Sequence, residues 1–239
     1  LDGLHITMSR TALLDMTLSF FALAGFGLMI LDRDLRDIGV RKNSLRAWFV
    51  VMMGLATATK WSGLYFLASF MLLMFYWDLA RAKKLSISVS SSWLVKHFSQ
   101  FALMPITVIV IYIASWFSWF RTTGGWNRNW STDSFIPDAL AGLWHYHHDM
   151  WDFHTHLTSA HNYKANPFGW PLMIRPTSFF YETADTCGTA KCAQEVIPLG
   201  NILIWWLGAL AMVAMVYFVA KKLHSAALPI LVAFLAGWV

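Results

Sequence analysis

Charge is scarce in this chain. Asp, Glu, Lys and Arg make up 13% of its 239 residues, about half the share that a soluble globular domain carries. A soluble core hides behind a charged skin, and this skin is too thin to cover a chain that is 57% hydrophobic. Mean hydropathy is +0.50. Missing too are a Walker loop, a dinucleotide-binding glycine pattern and a zinc-protease helix, so nothing here supports nucleotide-driven or zinc-hydrolase chemistry. Cysteine is nearly absent: Cys187 and Cys192 stand alone, with no second ligand pair to make a strong zinc signal. The first ten residues are mixed and polar, unlike a signal peptide, and no repeat of 20–50 residues is visible. The chain starts at Leu1 rather than Met and stops at Val239 inside an apolar run, so it is expected to be an internal piece of a longer protein.

The apolar residues lie in blocks of membrane-spanning length, which predicts an all-α polytopic integral membrane protein. Spans are expected at about 11–31, 47–59, 63–80, 99–119, 198–220 and 227–239, in one transmembrane domain with an outer loop at about 120–197. The pair 47–59 and 63–80 follows from length. A single helix over 47–80 would reach about 51 Å, against a hydrocarbon core of about 30 Å, so the break Lys60-Trp61-Ser62-Gly63 reads as a hairpin tip.

Orientation follows from the basic residues. With 32–46, 81–98 and 221–226 on the cytoplasmic side, that side holds eleven of the 18 Lys and Arg residues in far fewer positions than the other side. The net charge of +5 therefore reads as topology, and no soluble basic patch points to nucleic acid. The Lys60 tip and the long loop then face outward, where an oxidising compartment permits a Cys187–Cys192 disulfide; zinc is the rival reading. Asn129-Trp130-Ser131 fits a glycosylation sequon, a pattern that chance often produces.

Several polar residues sit where a membrane helix ordinarily has none. Arg10 and Asp15 flank the start of the first span, preceded by Asp2 and His5, and Lys60 caps the hairpin. Snorkelling at helix ends accounts for a single cation, but Asp15 lies about one turn inside an apolar helix and calls for a partner, Arg10 or Lys60. Residues 144–163 hold six of the nine histidines with Asp149 and Asp152, and His147, His148, His154, His156 and His161 include enough imidazoles for zinc. Yet His154 and His156, two apart, face opposite ways on a helix, and the interleaved aromatics suit short helices at a membrane surface. Pocket lining or interfacial packing is favoured, with no metal and no cofactor.

Four segments carry a resemblance. LDGLHITMSRTALLD resembles the motif of protein O-mannosyltransferases in which an acidic residue and a Ser-Arg pair precede a Leu-Leu-Asp helix start. GLATATKWSGLYFL is similar to that family's Lys-Trp-Ser hairpin, and HTHLTSAHNYKANPFGWPLMIRPTSFFYE to its outer-loop signature. CGTAKCAQEVIPLGNILIWW resembles the junction into the next span in actinobacterial members, although Ile202 stands where members commonly have Pro. The resemblance implies a GT-C-type helical bundle in the plasma membrane with its active face outside. It also implies transfer of mannose from polyprenyl (dolichyl-type) phosphate mannose to Ser or Thr hydroxyls of exported proteins, with inversion at the sugar carbon. The lipid-linked sugar is then a substrate, and the partners are that donor, the acceptor proteins and the bilayer.

On that reading Arg10, Lys60 and Arg175 are the expected donor-phosphate ligands, because cations offset the charge growing on a leaving phosphate. The resemblance places the carboxylate base upstream of Leu1, which leaves Asp2, Arg10 and Asp15 as supporting residues. Trp61, His154, His161, Trp170 and Glu182 are the expected pocket lining. The loop is too short to hold both its signature and the soluble β-rich domain of eukaryotic relatives, which favours a bacterial, actinobacterial-like member. A related enzyme using another lipid-phosphate sugar is the nearest alternative. A transporter subunit is further off, since its ionisable residues would gather at mid-bilayer.

Overall fold

A computed structural model describes residues 2–130, 135–158, 163–184 and 192–238. Its contacts divide the chain into two units, one formed by residues 1–109 with 163–239 and one by residues 110–162.

In the first unit a short helix α1 (Gly3–Arg10) leads into α2 (Leu14–Asp37), α3 (Asn43–Thr59) and α4 (Gly63–Lys84). The buried positions of α2 are Leu18, Ala22, Gly25, Met29, Asp32 and Arg36. That alternating spacing of four and three makes a single stripe on a helix of 3.6 residues per turn. The stripe packs on α3, where Phe49 and Met53 are fully buried, and on α4 through Phe70 and Met74. Residues 60–62 turn the chain between α3 and α4. Gly63 is required there, because a Cβ would stand 2.5 Å from the Thr57 nitrogen and 2.7 Å from the Ala56 carbonyl carbon.

The long helix α5 (Ser91–Ser115) contributes residues 91–109 to this unit. It begins eight residues ahead of the expected apolar span: the Ser-rich stretch, which reads as a loop by composition, is its first turn. Towards the C-terminus come α8 (Ile202–Lys221) and α9 (Ala227–Trp238), packed on each other, with α9 also against α4. Among the described residues four helices, α2, α4, α5 and α8, are long and apolar enough to cross a membrane. Helix α8 is the plainest of them, apolar on every side with no buried residue, so all its faces need an apolar environment. The protein is an all-α polytopic integral membrane protein.

The chain alternates direction through this body. Asp15 at the start of α2, the Lys60 turn and the start of α4 share one end, and α9 finishes there, where a Cβ on Gly237 would come 3.0 Å from Phe66. Asp32, Arg46 and Asp78 share the other.

The second unit holds α6 (Phe117–Arg121) and α7 (Asp138–His156). It is knit by aromatic rings: Trp116 packs edge-on against Tyr146 at 5.0 Å, and Tyr112 against His147 at 5.6 Å. The long loop also contains an element that the sequence reading did not anticipate, an antiparallel pair of β1 (Phe180–Ala184) and β2 (Cys192–Val196) in the first unit. Each strand has five residues, too few for a period-two pattern to stand out.

Candidate functional site at the Asp15 end

The polar residues Asp2, Arg10, Asp15 and Lys60, singled out in the sequence, gather where α2 begins. Asp15 lies in the first turn of α2, and its carboxylate oxygen sits 2.8 Å from the Lys60 ammonium. Between the two partners left open by sequence, Arg10 and Lys60, the ion pair goes to Lys60. Both side chains remain partly open to solvent, at 38% and 48% exposure. Arg10 ends α1 just ahead of α2; it is exposed and makes no ion pair among the described residues. Ala12 between the helices is left-handed at φ 56°, an uncommon state for a residue with a Cβ, and sets the angle between α1 and α2.

Asp2 holds α1 to the start of α8. Its carboxylate accepts from the Asn201 backbone N–H at 2.7 Å and from the Trp205 indole at 3.3 Å, and it also meets the His5 imidazole. The approach is close: a Cβ on Gly3 would lie 2.3 Å from the Leu199 carbonyl oxygen. Burial pushes the Asp2 carboxyl up, but the Asn201 N–H and the bonds from His5 and Trp205 outweigh it and hold the group below its ordinary value. Asn201 in turn caps α8, its side-chain oxygen accepting from the N–H groups of Leu203 and Ile204.

The Trp-Pro-Leu-Met segment forms a 3₁₀ turn, Pro167–Leu172, opened by Asn166, whose side chain accepts from the Phe168 N–H. Two indoles hold it in place. Trp206 of α8 donates to the Leu172 carbonyl at 3.1 Å, and Trp238 at the end of α9 donates to the Pro167 carbonyl at 3.2 Å. Beyond the turn Met173 and Arg175 are left-handed, at φ 53° and 55°. The Arg175 guanidinium lies over the Tyr163 ring, 4.8 Å from its centre. Two left-handed residues with side chains, two positions apart, cost about 1 kcal/mol or more each and persist only where the surroundings enforce them. Here α8 and α9 do.

The fold therefore places Asp2, Arg10, Asp15 and Lys60 at one end of the first unit, and ties the turn preceding Arg175 to helices that start or finish there. Trp61 stands half-buried at the hairpin tip, Trp170 is 47% exposed in the 3₁₀ turn, and Glu182 is exposed on β1 opposite Gln194. His154 belongs to the second unit, exposed near the end of α7. His161 and Cys187 lie outside the described residues; Cys192 at the start of β2 is disulfide-bonded.

The α7 histidines are bound up locally. His145 stacks on Trp130 at 4.2 Å and lies 3.7 Å from Asp149, His147 meets the Tyr112 hydroxyl at 2.7 Å, and His148 is 3.3 Å from Asp152. Among the described residues no three His, Cys, Asp or Glu side chains converge as a metal set. Sequence reasoning missed the anchors Asn201, Trp205, Trp206 and Trp238. An N-cap Asn just before an apolar helix was a usable signal for the first of these, whereas the indole contacts have no local signature.

Comparison with known proteins gives a consistent answer. Residues 1–121 match the family model described as dolichyl-phosphate-mannose-protein mannosyltransferase. Residues 139–232 match the model of the C-terminal four TMM region of protein-O-mannosyltransferase. The polyprenol-phosphate-mannose–protein mannosyltransferase of Mycolicibacterium smegmatis is 32% identical over 244 aligned positions, covering 86% of this chain and 46% of the relative. Its namesake from Mycobacterium tuberculosis is 30% identical over 279 positions, covering 99% of this chain and 52% of the relative. The dolichyl-phosphate-mannose–protein mannosyltransferase 1 of Saccharomyces cerevisiae is 30% identical over 60 positions, a quarter of the chain. No solved structure gives a significant match. The chain spans about half the length of the curated bacterial relatives it matches. With two family models covering most of it in order, the chain belongs to the dolichyl-phosphate-mannose-protein mannosyltransferase family.

Proposed function

We propose that the protein forms part of a plasma-membrane enzyme that moves mannose from polyprenyl-phosphate mannose to Ser or Thr hydroxyls of exported proteins, at the Asp15 end and facing away from the cytoplasm. Membership of the family carries the reaction class. The observation that carries the site is the gathering of Arg10, Lys60 and the anchored Pro167–Leu172 turn at one end of the first unit. Orientation rests on charge: the opposite end bears most of the Lys and Arg residues, as cytoplasmic loops do.

The chemistry assigns roles. The acceptor oxygen attacks the anomeric carbon from the face opposite the phosphate, the carbon–oxygen bond to phosphate breaks, and the acceptor proton passes to a carboxylate. The departing phosphate gains negative charge, which Arg10, Lys60 and Arg175 offset. Asp15 keeps Lys60 at the hairpin tip, and Asp2 fixes α1 with its terminal Arg10. Asp2, tied to α8, and Asp15, paired with Lys60, take supporting roles. Trp61 and Trp170 offer partly open aromatic faces for sugar or prenyl chain.

The test is transfer itself. Membranes holding the full-length protein are incubated with radiolabelled polyprenyl-phosphate mannose and a Ser/Thr-rich peptide. Label should enter the peptide in a base-eliminable linkage and vanish when the protein is deleted. Label confined to lipid or free sugar would overturn the proposal.

A further inference from the structure

The end opposite the proposed donor site contains a cavity of about 1000 Å³ between α3, α4 and the first half of α5, a volume at the upper end of the range for small-molecule sites. Its wall has two characters. One side is apolar, formed by Val50, Val51, Leu103 and Met104. The other is cationic: Arg36, Arg41, Arg46, Arg81 and Lys96 all line it. Three of those five are neutralised, since Arg36 and Arg46 bond to Asp32, Arg46 also to Asp78, and Arg81 to Asp78 and Asp37. Arg41 and Lys96 have no ion-pair partner among the described residues, so the excess positive charge of the cavity resides on them. Trp93 and His97, stacked at 3.7 Å, also line it.

A cavity with an apolar wall and two uncompensated cations, in a protein embedded in a bilayer, fits one kind of molecule. We infer that it binds an anionic phospholipid of the leaflet opposite the donor, with the phosphate against Arg41 and Lys96 and an acyl chain along Val51, Leu103 and Met104. The geometry of α5 favours this occupant. The helix meets the body through Phe101, edge-on to Phe75 at 5.6 Å and beneath the Arg46 guanidinium at 5.6 Å, and through Met104 and Val108. Leu103 on the cavity wall stays 60% exposed, so the cavity opens sideways to the lipid that would fill it. A further apolar helix would cover Leu103 but leave Arg41 and Lys96 uncompensated, whereas a phosphodiester satisfies both features. The inference is independent of the donor chemistry.

Each cation near a membrane surface is worth about 1 kcal/mol toward an anionic lipid, so removing two should weaken binding about 30-fold. Purified full-length protein in detergent is titrated with phosphatidylglycerol, with phosphatidylcholine of the same chains, and with inorganic phosphate, and bound lipid is counted by native mass spectrometry. Wild type should retain one phosphatidylglycerol per chain, prefer it over phosphatidylcholine, and hold it against inorganic phosphate. The double variant Arg41→Ala/Lys96→Ala should lose about 30-fold in apparent affinity, while Arg41→Lys/Lys96→Arg keeps it. Leu103→Trp, which narrows the apolar side without touching charge, should also displace the lipid. Equal retention of phosphatidylcholine, competition by inorganic phosphate alone, a double variant that binds like wild type, or wild type that retains no lipid would each overturn the inference.

Discussion

At one end of the α2–α3–α4 body, Asp15 and Lys60 form a single ion pair that stands half in solvent, beside an Arg10 that has no partner among the described residues. At the other end Asp32 and Asp78 are only 3% and 7% exposed, and three arginines converge on them. Arg36 and Arg46 donate to Asp32 at 2.6 and 2.8 Å, and Arg46 and Arg81 to Asp78 at 3.0 and 2.9 Å. Arg46 also lies 2.9 Å from the second Asp78 oxygen, without hydrogen-bond alignment. The contrast teaches what each end is for. Charges that neutralise one another through α2, α3 and α4 lock three helices and leave the anion inferred at that end to Arg41 and Lys96. Charges left sparse and open keep their field for one.

The largest expected effect breaks the locked end. Asp32→Ala strands Arg36 and leaves Arg46 with Asp78 alone, and removing one partner of a buried pair typically costs about 3–5 kcal/mol. A steep fall in melting temperature of the detergent-purified protein, with loss of folded yield, is the expected result; a shift no larger than that of a surface mutation would mean the network is not holding the helices. Nearly as large, but of a different kind, is the effect of Arg175→Ala or Arg10→Ala. Loss of a cation facing developing negative charge costs about 10²–10³-fold in turnover, and here it should leave protein level and melting temperature close to wild type. Parallel loss of fold and transfer would return these arginines to structural duty, and the two ends would no longer differ.

Much of this arrangement was legible in sequence, for identifiable reasons. The hairpin at Lys60 followed from a length no single span can hold, and Asp15 announced a partner because a carboxylate one turn into an apolar helix is rarely alone. The locked end was not legible. Asp32 and Arg36 stand at a visible i,i+4 spacing, but Arg46 reaches Asp32 from 14 residues away in sequence, and Asp78 meets Arg46 from 32. A reading by topology takes the same arginines for loop charges. The β1–β2 pair was equally hidden, each strand being short and the residues between them giving no two-residue turn signal. The start of α5 was missed because serine composition argues for loop, whereas the Ser90 hydroxyl accepts from the Trp93 N–H and Trp93 stacks on His97 one turn on, which favours helix.

A smaller effect sharpens the comparison at the anchor of α1. Asp2→Asn removes a charge that receives the N–H groups of Asn201 and Trp205, and a hydrogen bond to a charged group is worth about 1 kcal/mol more than a neutral one. The pH dependence has a definite sign. Because the folded-state carboxyl is held below its ordinary value of 3.8, its contribution is present above that value and fades as pH falls through the lower folded one. The melting-temperature gap between wild type and Asp2→Asn should therefore close as pH falls below about 4. A gap that persists well below that pH would mean the carboxylate charge does not hold α8.

The smallest stability effect belongs to the pair that the proposed site depends on. With Lys60 and Asp15 both about half exposed, the pair should contribute less than about 1 kcal/mol. Lys60→Met preserves the apolar stem and removes only the charge, so its melting temperature should lie within a few degrees of wild type, and high salt should narrow the difference further. Transfer should still fall, because Lys60 is assigned to the donor phosphate as well as to Asp15. That combination separates a working cation from a helix tie. Asp15→Asn frees the ammonium without removing it, so it should raise the apparent KM for the lipid donor less than Lys60→Met does. If instead Lys60→Met melts as badly as Asp32→Ala, the open end is a lock like the other, and the assignment of phosphate binding to it fails.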